Sequence, residues 1–298
     1  MNNDISARLI QTISNGDQLG EGIQWHIQSQ SIWWTDIESA CLYRYEMATK
    51  HIEKYAMPER VGCFSFIEND SRLLVGFASG FAFYDIYSND LEWVARPELS
   101  IKGNRLNDGR TDRQGRFWAG TMVEQRNHEK QSANLYCLDD AKQCHKILTD
   151  LEISNGLCWS PNGLTMYHAD SPKQTIYKYD FEPSTGNTRR KRVFAITSNN
   201  SFPDGACVDS QGYLWSAQWG GAKVVRYSPL GEVVFEITIP TIQPSCVAFG
   251  GKNLDLLIVT SAKQDLSTEQ LINEPQAGHV FIYQLTGVFG LEESQVRC

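Results

Sequence analysis

The chain breaks into short apolar runs separated by clusters of Gly, Asn, Asp and Pro, and no long segment keeps the i, i+3, i+4, i+7 spacing of an amphipathic helix. Runs such as SIWWTD, GRFWAG, TMYHAD, GYLWSA and DLLIVT are strand-length and rich in β-branched and aromatic residues. This pattern predicts an all-β protein. It also repeats. Six segments, starting at Glu21, Val61, Asn107, Asn155, Asp204 and Ser245, share one order of features. A short strand leads into a tight turn (DRQG, SPNG, DSQG). An aromatic or aliphatic second strand follows, and then a third strand ending in a Tyr or Phe pattern (CLYRY, FAFYD, NLYCL, TIYKYD). A period of about 40 to 50 residues with three or four strands per unit predicts a β-propeller. Six blades fill residues 1–298 as one domain. A single blade cannot bury both faces, so aromatic side chains are expected between blades. The segment Asp4–Thr12 is expected to close the ring by pairing with the last blade.

In a propeller the first strand of each blade lines the central channel. The aligned position before the repeat glycine holds Glu21, Val61, Asp108, Asn155, Asp204 and Ser245, with Asn107 one residue earlier in the third unit. Two carboxylates and an amide, Glu21, Asn155 and Asp204, thus share one register, and Asp108 and Asn107 lie beside it. Unpaired carboxylates gathered at one mouth of the channel repel each other and lose hydration. A divalent cation resolves that conflict, and an all-oxygen donor set suits calcium, magnesium or manganese better than zinc. The competing reading is that NG and DG only shape turns, for which they are favoured dipeptides. Glu21 speaks against it, because Glu is a poor turn residue.

Composition narrows the function classes. Of 298 residues, 27 are Lys or Arg and 35 are Asp or Glu, a formal net charge of −8, which argues against a nucleic-acid partner. The densest basic run, Arg189–Arg192, reads as a solvated hairpin. No stretch approaches the roughly 18 apolar residues of a membrane span, and the first residues lack a signal-peptide pattern, so a cytoplasmic protein with no membrane partner is expected. The eight cysteines form no CxxC pair and read as reduced core residues. No G-x-S-x-G elbow is present and the six histidines are scattered. His168, on the TMYHAD run, reads as structural or channel-lining. Trp219 reads either as core or as a wall for a sugar face.

The motifs LGEGIQW (from Leu19), NRLNDGRTDRQGRFWAGTM (from Asn104), ISNGLCWSPNG (from Ile153) and FPDGACVDSQGYLWSA (from Phe202) together resemble the gluconolactonase, regucalcin and luciferin-regenerating enzyme family over nearly the whole chain. The resemblance implies a six-bladed β-propeller with a metal site at one mouth of the central channel. It implies one divalent ion (Ca, Mg, Mn or Zn) on Glu21, Asn155 and Asp204, the residues the repeat had isolated. It implies that Arg105 and Asn107 contact a sugar lactone and that Asp204 is the general base of its hydrolysis. Some members carry a second Glu after GTM-x-E. Here GTMVEQ puts Gln125 at that substrate-binding place, which keeps hydrogen bonding but loses charge. The polar loop Arg126–Ser132 after it is either a lid or a plain surface loop. Gluconolactone, arabinolactone, xylonolactone and galactonolactone remain open as substrates, and a monomer is expected. The alternative is a calcium-binding regulatory propeller without significant hydrolysis, and a protein-binding scaffold is a third reading that the acidic cluster disfavours.

Overall fold

Six four-stranded antiparallel sheets stand around one axis in the computed structural model, which describes residues 5–198 and 200–297. Their innermost strands are Gly20–His26, Val61–Phe66, Asn104–Thr111, Ser154–Trp159, Phe202–Val208 and Pro244–Gly250, and these define blades 1 to 6. Each innermost strand contacts those of the neighbouring blades, and blade 6 contacts blade 1, so the ring is closed. The outermost strand of blade 6 is Ser6–Ile13, antiparallel to Val280–Thr286. This is the expected closure of the chain ends, although Asp4 lies outside the described residues. The innermost strand of each blade is a sheet edge, short and protected around the channel.

The core lies between blades. Trp118, Trp159 and Phe181 meet with ring centroids 5.6–5.8 Å apart between blades 3 and 4, and Trp215 and Phe249 meet edge to face at 5.9 Å between blades 5 and 6. Such contacts add to the burial of two large apolar faces. The seven described cysteines are free, six of them buried and Cys144 half-buried; Cys298 lies outside the described residues. The basic run Arg189–Arg192 lies exposed, as expected, on a hairpin, in the outermost strand of blade 4 that pairs with Thr175–Phe181, where Arg190 and Arg192 pair with Asp180. No helix among the described residues is long and apolar enough to cross a membrane.

One irregularity positions the site. Pairing between the first and second strands slips in every blade at the register the sequence singled out: at Glu21/Gln24, Val61/Cys63, Leu106/Gly109, Asn155/Cys158, Pro203/Ala206 and Pro244/Val247. A β-bulge bends the strand and re-aims a side chain. The NG and DG pairs therefore mark bulges within strands, not hairpin turns. Gly156, with φ of +61°, takes a left-handed conformation that a side chain would strain. A Cβ on Gly205 would come within 2.4 Å of the Cys246 sulfur, so glycine there lets blades 5 and 6 close up.

Candidate functional site

At one mouth of the channel the bulges turn Glu21, Asn107, Asn155 and Asp204 into a cavity of about 420 Å³, with Arg105 beside them. Five of the six sequence candidates thus share one wall. Gln125 does not. It is exposed, its amide donates to the Gly103 carbonyl at 3.0 Å, and its predecessor Glu124 lines the cavity instead. Loop 126–132 supplies no lining residue among the described residues. Its Gln131 is buried and tied to the Lys102 carbonyl and Asn104. The rim comes from elsewhere. Trp219, half-buried at the end of its strand, forms part of the wall, as do Gln264 and Asp265 from the segment before the short helix Thr268–Asn273.

Asp108 shares the register but not the cavity. In blade 3 the bulge spans two residues and Asn107 is the one presented to the mouth. Asp108 turns across to blade 4, where Oδ2 accepts from the Leu157 amide at 3.1 Å. Val61 and Ser245, at the same register in blades 2 and 6, are fully buried, and the Ser245 hydroxyl donates to the Gly20 carbonyl.

The electrostatics at the mouth are strained. Burial, reinforced by Asp108, pushes the Glu21 carboxyl up to about 8, against the Gly22 amide, Arg105 and Arg110. Burial, then Glu21 and Asp108, push Asp204 well above the usual carboxylate range. Glu21 accepts the amide of Gly22 at 3.0 Å, and no side chain of the described residues donates to either carboxylate. Lower in the channel the buried Arg110 is paired with Glu293 of the C-terminal segment at 3.0 Å. It makes no hydrogen bond to Glu21 or Asp204 and reaches Glu21 only through its charge. Two buried, weakly compensated carboxylates with an amide oxygen between them form a donor set that fits a hard divalent cation. A closed group of three or more His, Cys, Asp or Glu poised for a metal does not occur among the described residues, since the third donor here is an amide.

Arg105 is 4% exposed, and its bonds are directional. Nε donates to Glu124 at 3.1 Å, and Nη1 to Asn107 Oδ1 at 2.8 Å and to the Leu106 carbonyl at 3.1 Å. Nη2 has no acceptor among the described residues and is not fully enclosed. Glu124 is also gripped by both Nη atoms of Arg60 at 2.7 Å.

A Ser–His pair occurs in the chain, but away from the cavity. Ser154 Oγ lies 2.8 Å from His168 Nε2, both are buried, and neither lines the cavity. The pair braces blade 4 against blade 3, where Gly120 makes room for the Ser154 hydroxyl. His168 Nδ1 has no partner among the described residues, and burial pushes the imidazole down to about 4. In the unfolded chain it binds a proton below about pH 6.5, whereas the folded protein refuses one until about 4. Stability is therefore expected to fall as pH drops from 6.5 towards 4, by up to about 3 kcal/mol from this group. Urea titrations across that range should show a smaller loss for His168→Asn than for the wild type. Equal losses would sink this account.

Residues 19–263 match the SMP-30/Gluconolactonase/LRE-like region. The chain is 37% identical over 268 residues to an L-arabinolactonase of Azospirillum brasilense, covering 89% of this chain and 88% of that one. It is 36% identical over 265 residues to a 6-deoxy-6-sulfogluconolactonase of Pseudomonas putida, covering 88% and 90%. The crystal structure of a calcium-binding protein, regucalcin, from Agrobacterium tumefaciens superimposes with a TM-score of 0.91 over 97% of this chain and 98% of that one, at 28% identity. With the matched region spanning all six bulges but the last strands of blade 6, the chain belongs to the SMP-30/gluconolactonase/LRE-like family.

Proposed function

We infer that this protein hydrolyses a sugar lactone to its aldonic acid, with one divalent cation held by Glu21, Asn155 and Asp204. The observation that carries this reading is the convergence of those three residues with Arg105 and Asn107 on one cavity. The lactonases of Azospirillum and Pseudomonas support the reaction class. When bound, the cation supplies Lewis acidity towards the carbonyl and the attacking water.

The chain's own residues do the rest. Asp204, whose carboxylate lines the cavity, takes the proton of the attacking water and returns it to the ring oxygen as the acyl–oxygen bond breaks. Arg105 offers Nη2 to the oxygen on which charge develops. Asn107 has both amide protons committed, to the Ser154 carbonyl at 3.1 Å and Asn155 Oδ1 at 2.8 Å. It meets substrate only by accepting a hydroxyl proton on Oδ1. The Trp219 face is placed to stack on a sugar ring. Gln125, which the family resemblance puts on the substrate, reaches it only if segment 124–125 shifts, and we assign the contact to Glu124 instead.

Charge at the cavity selects the substrate. Its ionisable lining is Glu21, Glu124, Asp204 and Asp265 against Arg105 alone, and Glu124 already occupies Arg105 and Arg60. Among the described lining residues, no cationic side chain besides Arg105, whose Nη2 serves the carbonyl oxygen, is left to meet an anionic substituent. An uncharged aldonolactone is therefore expected to exceed its sulfonate-bearing analogue in kcat/KM by about tenfold or more, in contrast to what the name of the Pseudomonas relative indicates for that enzyme. Equal or reversed preference would overturn this assignment.

The reaction itself is tested with a pH-indicator assay on five- and six-membered aldonolactones, using protein stripped of metal and reloaded with calcium, magnesium, manganese or zinc. Ion-restored turnover well above spontaneous hydrolysis is expected. Stoichiometric ion binding without turnover would favour the second reading, a calcium-binding regulatory propeller, which the likeness to regucalcin supports. Arg105 weighs against it, because holding an ion does not require a buried guanidinium with one nitrogen facing the cavity.

A further inference from the structure

A hydrogen-bonded chain of single polarity runs across three blades at the mouth of the channel. Arg105 Nη1 donates to Asn107 Oδ1 at 2.8 Å. Asn107 Nδ2 donates to Asn155 Oδ1 at 2.8 Å. Asn155 Nδ2 donates to Ser171 Oγ at 2.8 Å. Ser171 Oγ donates to the Pro203 carbonyl at 2.7 Å. Both ends are fixed by chemistry: a guanidinium can only donate and a carbonyl can only accept. Every group between them therefore has one allowed orientation. Because Pro203 takes the Ser171 proton, the Ser171 oxygen must accept, and only the nitrogen of Asn155 can supply it. The amide oxygen of Asn155 is thereby held on the Asn107 side with one lone pair open. Ser171, in the short 3-10 turn Ser171–Lys173 just after the second strand of blade 4, also links Asn155 to the residue before Asp204 on blade 5.

We propose that Ser171 is a positioning residue for the cation: its hydroxyl locks the Asn155 amide with oxygen towards the site and ties the blade that carries Asn155 to the blade that carries Asp204. The proposal rests on the cation-binding reading above. Ser171 acts through Asn155: its proton goes to the Pro203 carbonyl and its oxygen accepts the Asn155 amide.

The test is a double-mutant cycle read by calorimetric titration of calcium and manganese into the metal-stripped protein. Ser171→Ala frees the amide to rotate and is expected to weaken ion binding by about 10- to 100-fold, and Ser171→Thr, which keeps the hydroxyl, is expected to restore most of it. The decisive arm is the Asn155→Asp background. A carboxylate presents oxygen whichever way it turns, and it faces the Ser171 oxygen without a proton between them. There Ser171→Ala is expected to leave affinity unchanged or improve it. Ser171→Ala binding as tightly as wild type, or weakening binding equally in both backgrounds, would overturn the proposal while leaving the cation site intact. Wild-type protein that takes up no ion overturns the cation reading, and this proposal with it.

Discussion

Asp204→Asn is expected to lower turnover by about 10³-fold or more, to weaken ion binding, and yet to raise the melting temperature of the ion-free protein. The loss of rate follows from removing a proton acceptor, a group worth about 10² to 10⁴ in such reactions, together with one charge of the donor set. The gain in stability follows from burial. Asp204 and Glu21 are 7% and 8% exposed, and after burial the Glu21 charge is what pushes the Asp204 carboxyl up most. The folded-state value of Glu21, about 8, lies above its ordinary 4.5, so the folded protein binds more protons than the unfolded chain between those limits. The Glu21 contribution to the stability of the ion-free protein therefore falls as pH rises through that window and is lost above pH 8. An amide at position 204 removes one charge from the pair. Stabilisation on the order of 1–2 kcal/mol is expected at pH 8, the usual scale on which active-site strain is relieved. Melting curves in chelator at pH 6 and pH 8 should show the variant's advantage growing with pH. Wild-type turnover in Asp204→Asn at saturating ion, or a lower melting temperature in chelator at both pH values, would contradict this account.

The repeat made the axis legible before any coordinates. In blades 1 to 5 the repeat glycine lies in the bulge or immediately after it, so Glu21, Asn155 and Asp204 could be found by alignment. The same logic slipped by one in blade 3, because pairing resumes there at Gly109 itself, so the glycine follows the bulge; Asn107 takes the cavity and Asp108 turns to the Leu157 amide. Ser171, Trp219 and Asp265 were harder to read, since they lie at or beyond the ends of second strands, where loop lengths differ from blade to blade. A usable signal did exist for the first two: both stand at the exit of the second strand, immediately after Asp170 and Gln218. Gln125 was named from the family motif, whereas Glu124, the first residue after the strand Phe117–Val123, is the one that lines the cavity.

The same repeat carries a second device, which predicts a large effect on stability. Asp209 and Asp112 open the turns DSQG and DRQG and are fully buried. Each accepts two amides of its own turn. Asp209 Oδ1 takes those of Gln211 at 2.9 Å and Tyr213 at 3.0 Å, and Asp112 Oδ1 takes those of Gln114 at 2.9 Å and Arg116 at 3.0 Å. Each then receives the indole N–H of the tryptophan that opens the interblade core, Trp215 at 3.0 Å and Trp118 at 2.9 Å. The carboxylate thus fixes turn and core together. The two differ in their cation. Arg226, 3% exposed, donates to Asp209 from Nε at 2.9 Å and Nη2 at 2.7 Å and lies over the Tyr213 ring, whereas Arg116 is 11% exposed and also reaches the Pro183 carbonyl. Removing one partner of a buried pair strands the other's charge at a cost of about 3–5 kcal/mol. Asp209→Ala is expected to cost that much in urea unfolding. Asp112→Ala is expected to cost less, because Arg116 can turn to water and keeps its carbonyl. Arg226→Met added to Asp209→Ala should recover part of the loss, since no charge is then stranded. A loss below about 1 kcal/mol for Asp209→Ala would show that the turn and the tryptophan hold without the carboxylate. Asp209 follows the strand Phe202–Val208 at the end away from the channel mouth, and Asp204 lies near the other. The fraction of Asp209→Ala that remains folded should therefore keep wild-type turnover, so that stability and chemistry separate along a single strand.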